Sequence, residues 1–150
     1  MVPDGSGVAK AKLDQKIQKR LIPGCVLRVL CDFTDPPKNK YLVIARVSTD
    51  TWVYVISSTP NQFIQSNPNL LACQVLIKAN QHKFLAHNSY IDCSEPISIK
   101  THEMERQLMK DPTRILGEVS QEVRLGIRNA IQTSAKTTMR MKEILLEAFK

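Results

Sequence analysis

Two lysines stand at the start of an apolar, β-branched stretch, in the segment DPPKNKYLVIARVS at residues 35–48. A Pro-Pro pair favours a turn and β-branched residues favour a strand, so the pattern predicts Lys38 and Lys40 at the mouth of a strand. An ammonium group at such a position has two interpretations. It is a solvated charge on a hairpin, or it faces a phosphate.

A hydroxyl residue ends the next predicted strand. That strand, TWVYVIS, follows the turn STD and stops at Ser57, with Ser58 directly after it. A short turn makes consecutive strands antiparallel, so Lys40 at the start of one is expected near Ser57 at the end of the other. The pair could then contact two oxygens of one phosphate. The alternative is that Ser57 is an ordinary strand-end serine.

The segment NQHKFLAHNS adds His82, Lys83 and His87. Histidine titrates near neutrality, so the two imidazoles are candidates for proton transfer. The alternative interpretation is that they are solvent-exposed residues of a loop without such a role.

The charge of the chain favours a polyanionic partner. Its 150 residues carry a net charge of +7 with a pI near 9.4, and such a balance suits RNA, DNA or an acidic protein. Much of the surplus lies in KAKLDQKIQKR at residues 10–20. This segment is either the solvated face of a helix or an arm that follows a phosphate backbone.

The cysteines argue against a metal site and against secretion. They form no C-x-x-C pair and have no clustered histidines beside them, so a zinc site is not expected. We expect core thiols in a reducing compartment. No apolar run approaches 18 residues and the N-terminus lacks an apolar signal region, which predicts a cytoplasmic protein without a membrane anchor. The residues concerned are Cys25, Cys31, Cys73 and Cys93.

The spacing of apolar residues predicts how the chain divides into helices and strands. Residues 1–7 are expected to be a flexible lead-in and 8–21 a short amphipathic helix. Short strands follow to about residue 100. Residues 120–134 form a helix with Ser120 as N-cap, and 137–150 continue it or form a separate one. Short strands followed by a helix predict a mainly β fold, a small and mostly antiparallel barrel with a C-terminal helix. The predicted units are 1–22, 23–134 and 135–150.

Two stretches resemble the PemK/MazF-type toxins of type II toxin–antitoxin systems. One is KYLVIARVSTDTWVYVISSTPN; the other runs from SYIDCSEPISIK through a short helix to RILGEVSQEVRLGIRNAIQTS. The likeness covers residues 23–134. It implies an SH3-like barrel with a terminal helix, a homodimer, and an antitoxin protein as partner. It also implies a metal-independent endoribonuclease acting on single-stranded RNA, without a cofactor.

The resemblance assigns the site residue by residue. The family arginine that opens the second strand corresponds to Lys40, and the hydroxyl that ends the third corresponds to Ser57, which makes these two the candidate catalytic residues. Ser58 is the neighbour of this hydroxyl. Together with Lys38 of the preceding turn and the three polar residues of the loop, it is a further candidate for contact with RNA; the loop residues are His82, Lys83 and His87. The chain departs from the family pattern, because PPKNKY has neither the usual glycine nor Arg-Pro. The alternative function is therefore a non-catalytic SH3-like module that binds protein or nucleic acid.

Overall fold

The computed structural model describes residues 5–150, and its six strands form one open antiparallel sheet. The strands are β1 (Cys25–Cys31), β2 (Lys38–Val47), β3 (Asp50–Ser57), β4 (Gln74–Ile77), β5 (Ser89–Lys100) and β6 (Ile115–Glu118). Their order across the sheet is β4-β5-β3-β2-β1-β6. The predicted antiparallel arrangement is confirmed. With β4 and β6 as the two edges, the pairing establishes an open sheet and not a closed barrel.

Helices make the protein mixed α/β, where the sequence predicted mainly β. They are α1 (Gly5–Arg20), α2 (Gln62–Gln65), α3 (Pro68–Leu71), α4 (Thr101–Lys110), α5 (Gln121–Thr133) and α6 (Met139–Ala148). The predicted first helix is confirmed, but it begins at Gly5. Of the expected flexible lead-in, residues 1–4 lie outside the described residues and 5–7 are helical. No helix in the described part of the chain combines the length and the apolar character needed to cross a membrane.

The tail after α5 forms a separate helix, which settles an alternative that the sequence left open. Ser120 caps α5, as predicted, by accepting a hydrogen bond from the Val123 N–H at 3.3 Å. The Thr138 side chain caps α6 in the same way, accepting from the Met141 N–H at 3.2 Å. A new N-cap supplies acceptors for the free N–H groups of a second helix, so the chain restarts there.

Two buried clusters lie on opposite faces of the sheet. The α5 core packs α5 and α6 on one face and includes Val43, Tyr54, Ile91, Ile127 and Phe149. The α1 core packs α1 and α4 on the other face and includes Ile17, Leu27, Leu42, Val53 and Met104. Successive residues of a strand point to opposite faces, so the long apolar runs of β2 and β3 serve both cores.

Strand β5 joins two segments that the sequence treated as separate strands, SYIDCS and PISIK. Its pairing with β3 changes register, from Val55 opposite Asp92 to Val53 opposite Ile97. Pro96 lies in the interval, where a missing N–H breaks no ladder bond. An irregularity of this kind bends a strand and increases its twist, so β5 serves the α5 core at its start and the α1 core at its end.

A side-chain amide completes the pairing of β1. Strand β6 pairs only with residues Cys25 to Leu27. Beyond that point the Leu30 N–H donates to Gln107 Oε1 at 2.9 Å, and Gln107 Nε2 donates to the Leu30 carbonyl at 3.0 Å. The Gln107 amide of α4 thus satisfies the same two groups that a neighbouring strand would satisfy.

Arg124 of α5 fastens the start of β1 to the end of the chain. Its Nη1 donates to the Pro23 carbonyl at 2.9 Å and its Nη2 to the Ala148 carbonyl at 3.4 Å. The guanidinium also lies over the Phe149 ring, 5.4 Å from the centroid. Gly24 has a φ of +96°, and a Cβ at that position would lie 2.6 Å from Arg124 Nη1. The turn before β1 therefore requires glycine both for its backbone angle and for space.

Candidate functional site

The pairing of β2 with β3 aligns the two candidate catalytic residues. Tyr41 lies opposite Ile56, so continuing the register by one residue sets Lys40 opposite Ser57. Residues directly opposite in an antiparallel pair have Cβ atoms about 4.5–5.5 Å apart. Lys40 lies two residues before Leu42 of the α1 core, and Ser57 lies two residues after Val55, which packs beside the same core. Residues two apart on a strand share a face. Both side chains therefore belong to the α1 face of the sheet.

Neighbouring strands extend this pair into a row. Val29 of β1 lies opposite Lys40, Tyr90 of β5 lies opposite Ser57, and Leu76 of β4 lies opposite Tyr90. We call these five residues the cross-strand row. With strands about 4.8 Å apart, the row extends over roughly 19 Å. Val29 at one end of the row is buried, Ser57 in the middle is exposed, and Leu76 at the other end is 41 % exposed.

A cleft of about 530 Å³ lies at the β1 end of the row. It is bounded by Val29, Cys31 and the exposed ring of Phe33 on one side and by β5 and α4 on the other. The pKa of the Cys31 thiol is raised to about 11, chiefly by burial and to a smaller extent by Asp32, while the charge of Lys40 opposes the rise.

A second cleft lies at the other end of the row, with a volume of about 580 Å³. Its lining includes Ser58, Thr59, Asn88 and the half-exposed ring of Tyr90. Ser58 follows β3 directly, so Ser57 lies between the lysine and this polar cleft. The arrangement offers a cation, a hydroxyl and an aromatic face in succession.

Lys38 extends the positive charge along β2. It lies two residues before Lys40, on the same face, and is paired with Cys31 in the register. Its side chain is exposed, whereas Lys40 is half-buried. Lys38, Lys40 and Ser57 are therefore brought together, with Ser58 beside them.

His82 has a structural environment. It is 3 % exposed, its Nδ1 lies 2.8 Å from the Lys78 carbonyl, and its Nε2 accepts from the Ser120 N–H at 3.0 Å. Because Nε2 accepts from a backbone N–H, Nδ1 is the ring nitrogen that donates to the Lys78 carbonyl. His82 thereby fixes its loop to the beginning of α5, and an outside molecule does not reach it.

Lys83 and His87 are exposed in the loop between His82 and β5. Phe84, between them, packs toward Gly117, where a Cβ would lie 3.3 Å from its ring. The Asn88 side chain of the same loop accepts from the Ala79 N–H at 2.9 Å. The loop leads into β5 at Ser89, one residue before Tyr90, but neither Lys83 nor His87 belongs to the cross-strand row.

Two further polar residues of this face were not identified from the sequence. Tyr90 and Asp92 alternate with Ile91 and Cys93, which belong to the α5 core. Asp92 Oδ1 accepts from Gln74 Nε2 at 3.0 Å and from Ser94 Oγ at 2.7 Å. The alternation in SYIDCS was a sufficient signal that Tyr90 and Asp92 share a face. Their position beside Ser57 depends on the pairing of β5 with β3, which alternation does not reveal.

In the part of the chain that the structure describes, no three His, Cys, Asp or Glu side chains come together as ligands for a metal ion. All four cysteines are free thiols in buried positions. No protein-family model matches the chain, and comparison with curated proteins finds no match.

Proposed function

We propose that this protein binds single-stranded RNA across the cross-strand row and cleaves it with Lys40 and Ser57. The observation that carries the proposal is the row itself. It aligns a half-buried ammonium, a hydroxyl and an aromatic ring between two clefts, on one sheet face.

The row suits a single strand of nucleic acid. Positively charged grooves follow the phosphate backbone, and exposed aromatic rings stack on bases. Lys38 and Lys40 supply the charge, Tyr90 supplies a ring beside Ser57, and Phe33 supplies another at the first cleft. With a phosphate bound at Lys40, the nucleotides on either side of that phosphate would lie at the two clefts.

The reaction is an internal transesterification. The ribose 2′-oxygen attacks the adjacent phosphorus and gives its proton to a base, while the bond to the 5′-oxygen breaks and that oxygen takes a proton from water. The products are a 2′,3′-cyclic phosphate and a 5′-hydroxyl. The Lys40 ammonium and the Ser57 hydroxyl stabilise the charge that develops on the two non-bridging oxygens.

The 2′-proton needs an acceptor on the same face of the sheet. Asp92 is opposite Val55 on β3, two residues before Ser57, and its carboxylate is oriented by Gln74 and Ser94. A positioned carboxylate can act as a general base. We assign this role to Asp92 within the proposal.

The likeness to PemK/MazF-type toxins forms part of the same proposal. The register shifts between β2 and β3 and between β3 and β5 bend the sheet, which supports an SH3-like curvature. The proposal includes a homodimer, action in the cytoplasm and control by an antitoxin protein. Light scattering at high micromolar concentration should give twice the 17.0 kDa chain mass; a monomer would contradict the dimer.

The test uses the purified chain on end-labelled single-stranded RNA with EDTA present. We expect fragments with cyclic-phosphate ends from the wild type. RNA binding measured in parallel by fluorescence anisotropy separates cleavage from binding. Binding without cyclic-phosphate ends, in the wild type and in Lys40→Arg alike, would exclude the ribonuclease.

The lysine at position 40, where the PemK/MazF-type toxins have arginine, favours a second candidate function: a module that binds RNA or protein without cleaving RNA. Lysine retains the charge of the family arginine but lacks the planar fork that contacts two phosphate oxygens at once. A protein that had lost cleavage could keep the row for binding RNA or protein. Cyclic-phosphate ends would identify the ribonuclease, and RNA binding without such ends would identify the binding module.

A further inference from the structure

Helix α1 carries a stripe of positive charge along one exposed flank. Ile17 is 2 % exposed and anchors the helix in the α1 core. At 3.6 residues per turn, positions 12, 16, 19 and 20 fall on one arc about 100° wide, which runs from Lys19, almost opposite Ile17, to Arg20, about 60° from Ile17. We call these four residues the basic stripe: Lys12, Lys16, Lys19 and Arg20.

The charges of the stripe are exposed and are not paired with acids. All four side chains are exposed. Within residues 5–150, each ion pair involves a basic residue outside the stripe. Asp14, the acidic residue of α1 in the described range, is half-buried and lies on the inner side, where it lines a cleft against α4. The stripe is therefore a concentrated positive surface about 12 Å long.

We infer that the basic stripe is a second contact surface for RNA, which binds the phosphate backbone without reading bases. The choice of RNA as the polyanion rests on the proposed function. The surface itself rests on the charge and exposure of α1, which are independent of Lys40 and Ser57.

The composition of the stripe favours a phosphate backbone over an acidic protein or a lipid surface. Protein interfaces have an apolar centre, and helices that lie on membranes expose an apolar face. Val8 is the only large apolar side chain exposed on the described part of α1, and Leu13 and Ile17 face inward. Neutralisation of phosphates by lysine and arginine needs no apolar surface.

The position of the stripe suits an extended RNA. Lys19 and Arg20 line a small cleft with Cys25 at the start of β1. Lys40 lies opposite Val29, four residues along β1 and thus about 13 Å further on. Glu118 lies in the same small cleft, and its negative charge repels phosphates. The RNA backbone is therefore expected on the Lys12–Lys16 side of Arg20. One strand longer than a few nucleotides can reach both surfaces.

The experiment compares the wild type with the quadruple variant Lys12→Gln, Lys16→Gln, Lys19→Gln, Arg20→Gln. Anisotropy of labelled poly-uridine RNA is measured between about 50 and 200 mM salt. Each lost contact should reduce the slope of log K against log salt by about 0.7 for a single strand, so we expect a total reduction of roughly 2–3. The affinity at low salt should fall about tenfold or more.

A matched control removes the same charge elsewhere, with Lys110→Gln, Lys136→Gln, Arg140→Gln and Lys150→Gln, all at exposed positions. Circular dichroism confirms that both variants retain their helices. An equal change of slope in both variants, or none in the stripe variant, would overturn the inference. So would failure of the wild type to bind RNA, or tighter stripe-dependent binding to labelled poly-glutamate than to RNA.

The outcome is separable from that of the proposed function. Lys40→Ala should reduce the cleavage rate about 10²- to 10³-fold and retain most of the salt slope. The stripe variant should cleave saturating RNA at the wild-type rate with a raised KM. Stripe-dependent binding without any cleavage would leave this inference intact and remove the ribonuclease.

Discussion

At the scale of single residues, burial and hydrogen bonding separate side chains that have the same chemistry. His82 has both ring nitrogens bonded inside the protein, whereas His87 is exposed in the same loop. Lys40 is half-buried on a sheet face beside a cleft, whereas Lys38 is exposed. These differences decide which residues can act on a bound molecule and which hold the fold together.

Lys40→Ala is expected to reduce the cleavage rate about 10²- to 10³-fold, because it removes a few kcal/mol of charge stabilisation from the transition state. Lys40→Arg should retain or raise activity. Single-turnover cleavage of RNA measures both. Lys38→Ala is the matched control and should weaken binding only modestly, with a smaller salt dependence. Equal losses in Lys38→Ala and Lys40→Ala would contradict the assignment.

His82→Ala is expected to lower the free energy of unfolding by about 1–3 kcal/mol, because the Ser120 N–H loses its acceptor in a buried place. Urea denaturation measures the change. His87→Ala, at an exposed position of the same loop, serves as control and should alter stability by less than about 0.5 kcal/mol. If the two variants are equally stable, the link between the loop and α5 is unimportant.

At the scale of elements, the connections between strands and helices carry the strictest requirements. The turn before β1 requires a positive φ at Gly24, and Arg124 fills the space beside it. Helix α5 approaches β4 so closely that a Cβ on Gly126 would lie 2.9 Å from Val75 Cγ1. The buried stripe of α5 accounts for its packing, but glycine determines how near the elements come.

Gly24→Ala is expected to destabilise the protein by about 1–3 kcal/mol, since it strains the backbone and displaces the Arg124 guanidinium. Thermal or urea unfolding measures the loss. The control is Gly7→Ala in α1, where nothing lies within 4 Å of the new Cβ. That change should be neutral or stabilise by up to about 1 kcal/mol. Comparable losses at both positions would argue against the structural role of Gly24.

At the scale of the whole molecule, two packed layers of helices enclose a sheet whose interior holds reduced thiols. Burial raises the pKa of Cys25 to about 11, with Arg20 opposing and Glu118 adding to the effect. Cys31 is raised to about 11 by burial as well. Each thiol has a higher pKa in the folded protein than in the unfolded chain, so its protonated form stabilises the fold. This stabilisation is complete below the unfolded-chain pKa near 9 and is lost as the pH rises through the folded-state pKa of about 11.

The free energy of unfolding should therefore fall between pH 9 and 11, by up to about 1.4 kcal/mol per pH unit for each thiol. The unfolded chain loses these protons first, so alkaline conditions favour it. Urea titrations at several pH values measure the slope. Cys31→Ala should have a shallower slope than the wild type, whatever its absolute stability. An identical slope would show that the thiol ionises equally easily in the folded state.

Local patterns predicted the elements better than their arrangement. The four cysteines expected in the core are buried, and the helix predicted over residues 120–134 forms as α5 with Ser120 as its N-cap. Strand β1 ends at Cys31, and Phe33 beyond it is 43 % exposed. Strand ends depend on partners, and the partner of β1 at that point is a glutamine from a distant helix.

The candidate site was predictable only where it depends on adjacent strands. The short turn between β2 and β3 sufficed to bring Lys40 near Ser57. Tyr90 and Asp92 reach the same face through pairing of strands separated by more than thirty residues, and no local signal specifies that pairing. The burial of His82 likewise depends on Ser120, which lies 38 residues away.

The Gln107 amide beside Leu30 bears on how separate molecules meet. An exposed strand edge offers unpaired N–H and C=O groups to any other chain and is a template for aggregation. Because the Gln107 amide bonds both the N–H and the C=O of Leu30, a strand of another molecule cannot pair with these two groups. The same glutamine that completes the sheet therefore helps to keep a concentrated solution of the protein from forming intermolecular sheets.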